Sequence, residues 1–270
     1  LHQGGDRNLA WTDVAFLRGS DHACRHRIVY RLHRSKTPPL AWLISRRSLM
    51  TANEELIEFL RDYVTPNKQE KIAAVLEDRT RHLALVLEDI YQPHNASACL
   101  RSCDCLGVQD IHVVERRNEY RPNNEISMGS AKWLTMHRYH QTGSCIDSVK
   151  KRGYRLIATT PNADGYDLLT LPLDQPVAIM FGTEEQGLSQ EALEAADATL
   201  RLPMYGFTQS YNISIAVALT LSRLVERLRN SDLPWKLDEA DKKEMTLAFY
   251  RRIVKRHDLL EENFWANRPD

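Results

Sequence analysis

Between residues 83 and 202 short apolar runs alternate with longer amphipathic segments, and this alternation limits the fold more than any other feature. Leu83–Leu87 (LALVL) and Val177–Phe181 (VAIMF) are unbroken apolar runs, as expected of strands buried on both faces. Ile111–Val114, Tyr154–Thr159 and Thr199–Leu202 are shorter strand candidates. Between them, Asn95–Leu106 reads as a helix ended by Gly107, Ser144–Arg152 as one stopped by Gly153, and Ser189–Ala196 as one capped by Ser189. Such an order predicts an α/β fold: a mostly parallel sheet with helices on both faces. Ligands of such sheets bind beyond the carboxyl ends of the strands, so the loops after Leu87, Phe181 and Leu202 are the places to look for chemistry.

The regions outside this core read as helices. Glu54–Leu60 is amphipathic, and Thr65 with Pro66 predicts a second helix start, with Ile72, Ala73, Val75 and Leu76 on its apolar stripe. Asn212–Leu228 is a long helix whose first half is almost wholly apolar and is expected to be buried. Leu233-Pro234 breaks it, and Glu239–Leu259 is a charged final helix. The expected organisation is a leader at 1–49, a helical extension at 50–81, a catalytic domain at 82–230 and a second helical extension at 231–270. The leader carries a net +6 and the rest −6, within a chain of net charge zero. Met50 reads as a start, which makes 1–49 translated upstream sequence or a cloning remnant; the alternative is that the Arg-rich, acid-poor leader is a transit peptide.

The 270 residues are 43% hydrophobic and 27% charged, ordinary for a globular protein, and no apolar run reaches the length of a membrane span. The acidic main body excludes indiscriminate nucleic-acid binding, so any such contact must use local basic patches. Five cysteines without disulfide-like spacing fit a reducing, cytoplasmic setting. Cys99, Cys103 and Cys105 lack the second pair that a zinc site wants, so no metal is expected and they read as small core side chains.

The first loop and its helix read E-D-I-Y-Q-P-H-N-A-S-A-C-L-R-S-C-D-C-L-G. Asn95 or Ser97 suits a helix cap. Arg101 lies among Ala, Cys and Leu, where a guanidinium is costly unless paired; it either binds Asp104, snorkels to water, or serves a site. The second loop, F-G-T-E-E-Q-G-L-S, has two glycines at phosphate-loop spacing, but Leu188 stands where the lysine would be. No G-x-G-x-x-G occurs. The third loop, L-P-M-Y-G-F-T-Q-S-Y-N-I-S, sets Ser210, Asn212 and Ser214 at alternate positions, and capping explains only one of them.

Taken in order, these loops resemble the three signature motifs of the SPOUT superfamily of methyltransferases, in its TrmH/SpoU branch. The resemblance runs from about Leu83 to Arg229, with Tyr211 and Ile213 departing from the usual S-L-N-V-S. It implies a C-terminal trefoil knot, an obligate homodimer, and S-adenosylmethionine bound mainly by backbone near Thr159, Gly182, Leu202 and Tyr211. It implies methyl transfer to a ribose 2′-hydroxyl of RNA, with Arg101 at the reacting centre and Asn95, Glu184, Ser210 and Asn212 at the other site positions. The short helical flanks most resemble the members acting on guanosine 18 in the D-loop of tRNA. A ribosomal-RNA methyltransferase and a non-catalytic RNA-binding protein are the alternatives. Candidate tRNA contacts are Arg79, Arg81, Arg116, Arg117, Arg121, Lys150, Lys151, Arg152, Arg223, Arg227, Arg229, Arg251, Arg252, Lys255 and Arg256.

Overall fold

The computed structural model describes residues 51–90, 92–118, 120, 127–161 and 165–268; the expected leader at 1–49 lies outside the described residues. Six strands form one all-parallel sheet in the order β3-β2-β1-β5-β4-β6. They are β1 (Thr80–Glu88), β2 (Val108–Val114), β3 (Thr135–Tyr139), β4 (Arg155–Thr159), β5 (Val177–Phe181) and β6 (Ala198–Leu200). The helices are α1 (Ala52–Arg61), α2 (Pro66–Glu77), α3 (Pro93–Leu106), α4 (Thr142–Lys151), α5 (Gln190–Ala195), α6 (Ile213–Arg229), α7 (Glu239–Ile253) and α8 (His257–Ala266).

The period-two alternation of side chains along a strand builds two cores. Leu83, Leu85 and Leu87 of β1, with Val177, Ile179 and Phe181 of β5, face α3 and α6. Ala84, Val86, Ala178 and Met180 face the other way, onto α4 and α5. Because both faces are covered, the stretches Leu83–Leu87 of β1 and Val177–Phe181 of β5 carry no polar side chain, which is why they read as unbroken apolar runs. A third cluster joins the two ends of the described chain: Leu56, Leu60, Ile72 and Leu76 of α1 and α2 pack with Met245, Phe249 and Tyr250 of α7.

The helix boundaries follow local chemistry. Thr51 caps α1 and exchanges a capping box with Glu54. Gly107 ends α3 in the left-handed region at φ 78°. Ser189 caps α5 through a bond accepted from the Ala192 N–H. Thr65 makes no such bond; Pro66 alone, with its fixed φ, starts α2. The single final helix expected at Glu239–Leu259 is two, divided at Val254–Arg256, where Arg256 has φ 54°. No helix among the described residues is long and apolar enough to cross a membrane.

Candidate active site

Because β1, β5, β4 and β6 are adjacent and parallel, the loops at their carboxyl ends share one edge of the sheet. Asn95, in the first turn of α3, is buried there. It is not a cap, and neither is Ser97, whose hydroxyl donates to the Pro93 carbonyl at 2.6 Å; the N-cap is Gln92. The Asn95 amide instead donates to the Glu184 carboxylate in the second loop and, at 3.1 Å, to Gln92 Oε1. Its own carbonyl oxygen accepts from Asn212 Nδ2 at 3.1 Å. Asn212 caps α6: its Oδ1 accepts from the Ser214 N–H at 3.0 Å and the Ser214 hydroxyl at 2.7 Å. One amide side chain thus ties the three loops together, with both of its N–H groups and its oxygen used.

Thr159 ends β4 and donates its hydroxyl to the Met180 carbonyl at 2.7 Å, joining β4 to β5. Gly182 follows β5, and the next turn closes on itself through paired Thr183 and Gly187 backbone bonds at 3.0 and 2.9 Å. Leu202 and Tyr211 lie in the loop between β6 and α6, which the Tyr211 hydroxyl bridges by donating to the Pro203 carbonyl at 3.0 Å. Ser210 is exposed and makes no hydrogen bond among the described residues, so it stays outside the chain of bonds. From 202 to 211 the main chain makes no backbone–backbone bond among the described residues. Free N–H and C=O groups beside adjacent strand ends fit a cofactor with polar edges that main chain can hold.

Arg101 is exposed, not set among apolar neighbours. Asp104, its expected partner, pairs with the buried Arg79 instead. Six residues from Asn95, Arg101 is turned by about 120° round α3 and makes no ion pair or hydrogen bond among the described residues. It shares the outer face of α3 with His94, Ala98 and Cys105. The first half of α6, which packs on α3, is not wholly buried as expected either: Ile215 is 51% and Leu219 44% exposed. Of the basic candidates, Arg79 is buried, Arg81 is bound to Asp110, Asp241 and Glu244, and Arg227 donates to the Leu168 and Leu171 carbonyls at 2.8 Å. Arg121 lies outside the described residues.

Sequence reasoning overlooked Gln92, Glu88 and Asp89. Glu88 is buried at the end of β1, where it accepts from Thr142 Oγ1 at 2.5 Å and from the Ser189 hydroxyl and N–H at 2.7 and 2.8 Å. The signal was available: two acids closing an otherwise apolar strand need partners. Cys99 and Cys103 are core residues, and burial pushes the Cys99 thiol up to about 12; Cys105 is exposed. No group of His, Cys, Asp or Glu among the described residues is arranged to hold a metal ion.

Comparison with known proteins adds to this geometry. The model of the SpoU rRNA Methylase family matches residues 82–222. A tRNA (guanosine(18)-2′-O)-methyltransferase of Borreliella burgdorferi is 42% identical over 205 residues, covering 76% of this chain and 94% of that protein. Among solved structures, the TrmH/SpoU tRNA modifying enzyme of A. aeolicus superposes with a TM-score of 0.64 at 25% identity, over 70% of this chain and 98% of that one. The SpoU methyltransferase AviRb of Streptomyces viridochromogenes, in complex with the cofactor AdoMet, gives 0.52 at 25% identity, over 58% and 62%.

Proposed function

We propose, from the premise that this chain belongs to the SpoU rRNA Methylase family, that it methylates a ribose 2′-hydroxyl of RNA using S-adenosylmethionine, with guanosine 18 in the D-loop of tRNA as its target. The observation that carries the reading is the hydrogen-bonded chain Glu184–Asn95–Asn212, which joins side chains of all three motif loops at one sheet edge.

S-adenosylmethionine supplies an electrophilic methyl group. Main-chain groups at Gly182, Leu202 and Tyr211 would hold it, with Thr159 fixing β4 to β5. Asn95, Glu184 and Asn212 keep the loops in register, so the acceptor ribose and the methyl donor meet without reorganisation. Arg101, with its donors in a fixed fork, orients the 2′-hydroxyl and the neighbouring phosphate, and the hydroxyl proton passes to water. Ser210, exposed beside Tyr211, contributes to the shape of the third loop.

The same reading makes the functional unit a homodimer with the third loop and α6 threaded into a trefoil knot, working in the cytoplasm. Exposed Ile215 and Leu219 support the dimer, since burying an apolar stripe needs a second surface. It treats 82–230 as the catalytic domain and the flanking helices as extensions. The exposed Arg101 is then completed by a neighbouring subunit, which explains its distance round the helix from Asn95.

The test is methyl transfer from S-adenosylmethionine to a tRNA transcript, with nuclease digestion and mass mapping of the product. The expected result is one methyl group on the ribose of guanosine 18. Arg101→Ala should lower turnover by about 10²-fold or more, leaving dimer mass and cofactor affinity near wild type. Wild-type turnover in that variant would defeat the assignment, and methylation only of ribosomal RNA would replace the target.

A further inference from the structure

An open cleft of about 650 Å³ lies beyond the carboxyl ends of β1, β2 and β5, within the range of small-ligand sites. Its lining includes Gln92 and Glu184, so it adjoins the Asn95 chain, and Arg116 and Arg117 from the segment after β2. Four acids also line it, yet three are occupied. Glu88 accepts three bonds from Thr142 and Ser189, Glu184 accepts from Asn95, and Asp89 is turned onto the arginine segment. Only the exposed Glu185 has no hydrogen-bond partner among the described residues.

Asp89 is the unusual residue. It sits in the left-handed region at φ 56°, where a non-glycine residue persists only if its surroundings hold it. Its Oδ1 accepts the backbone N–H groups of Arg116 at 2.7 Å and Arg117 at 2.9 Å, and its carbonyl accepts from Asn118 Nδ2 at 3.1 Å. Arg117 then reaches Gln186 Oε1 at 2.9 Å, linking this segment to the turn after β5. The Arg116 guanidinium has no partner among the described residues.

We propose that this cleft seats a phosphodiester of the substrate RNA on Arg116 and Arg117, and that Asp89 is the positioning residue that holds the two arginines there. This rests on the RNA-methyltransferase reading above. Guanidinium groups are suited to phosphate, and two adjacent ones on a backbone clamped by Asp89 form a local pair of donors rather than a diffuse basic surface.

The proposal predicts an effect opposite in sign to simple charge counting. Asp89→Ala removes a negative charge, which by charge alone would tighten RNA binding. The expected result is instead weaker binding of unmodified tRNA, by about tenfold, with the KM for tRNA raised and kcat within about twofold. Asp89→Asn, which keeps the acceptor oxygen and tolerates the left-handed backbone, should restore wild-type affinity. Arg116→Ala should lower the slope of log affinity against log salt by about 0.7–0.9, one phosphate contact. S-adenosylmethionine affinity and dimer mass should be unchanged in each. Tighter or unaltered binding by Asp89→Ala, or an unaltered salt slope in Arg116→Ala, would overturn the proposal. If Asp89→Ala does not fold, the Arg116→Ala slope and the Asp89→Asn affinity decide alone. Wild-type protein that neither binds nor methylates RNA would sink the underlying reading; methylation by wild type with variants to match would sink only this inference.

Discussion

Gly182 shows how a residue can be found for one reason and needed for another. Gly182 and Gly187 stand at phosphate-loop spacing after a buried strand, and the family resemblance puts Gly182 beside the cofactor. In the structure a β-carbon on Gly182 would stand 2.0 Å from the Gly187 carbonyl group and 2.2 Å from the Leu188 nitrogen. The crowding comes from the chain itself, where the Thr183–Gly187 turn folds back over the end of β5. None of those atoms is the tip of a flexible side chain, so relief requires the turn to open. Glu184 sits in that turn, and opening it would draw the carboxylate from Asn95. Gly182→Ala should therefore destabilise the fold by about 3 kcal/mol and lower methyl transfer by about 10²-fold or more. An unchanged melting temperature with full activity would contradict this account. Asn95 teaches the same lesson. Its position in the first turn of α3 was legible, but its work as the link between three loops was not, because its partners lie 89 and 117 positions away.

At the level of elements, the apolar centre of a strand buried on both faces was legible, but β1 and β2 begin three residues before the expected runs and a strand set by pairing was not seen. The bounds of β5 were predicted without error because five apolar residues in a row have few other uses. The strand β3, with sequence TMHRY, was missed altogether. It is an edge strand with half-exposed side chains, so its only strong determinant is the ladder with β2, which a sequence pattern does not display. The helix α6 was placed well but misread in its exposure. An apolar sequence implies burial, yet Ile215 and Leu219, four residues apart on one face, remain open in a single subunit. The proposed dimer covers them. Leu219→Arg should then give monomers by sedimentation, with loss of about 2 kcal/mol or more of association energy per buried side chain and with activity reduced in parallel. A dimer of wild-type affinity in that variant would place the subunit contact elsewhere.

For the molecule as a whole, the two helical extensions share a core with each other, and charge couples α7 to the sheet. Arg81 of β1 pairs with Asp110 of β2 at 3.1 Å and with Asp241 and Glu244 of α7. Asp110 also accepts from His137 Nε2 at 3.0 Å, and the His137 ring stacks on His112 with centroids 4.6 Å apart. The Tyr139 hydroxyl donates to Ser148, so His112 Nδ1–H donates to Tyr139, at 3.0 Å, and His112 Nε2 is left as a buried lone pair without a partner among the described residues. A second proton there would be both desolvated and unpaired. Burial first, then the neighbouring His137, pushes the His112 imidazole down to about 3. Asp110 is also held below its ordinary value: burial alone would raise it, but the bond to His137 and the charge of Arg81 outweigh that. An unfolded histidine titrates near 6.5, so between about 6.5 and 3 the unfolded chain takes up a proton that the native chain refuses. The stabilisation is complete above pH 6.5 and is lost as pH falls towards 3. Asp110 adds to the loss at the acid end, because its folded value is depressed. Unfolding free energy should therefore fall with decreasing pH by up to about 1.4 kcal/mol per pH unit from His112 alone. His112→Gln removes the titrating group while keeping a donor for Tyr139, so urea midpoints measured from pH 7.5 to 4.5 should flatten by about one proton relative to wild type. Parallel pH profiles for the two proteins would mean that another group limits acid stability. Because Asp110 belongs to both the histidine stack and the Arg81 pairs, loss of this network should loosen α7 from the sheet together with the central strands, in one transition rather than two.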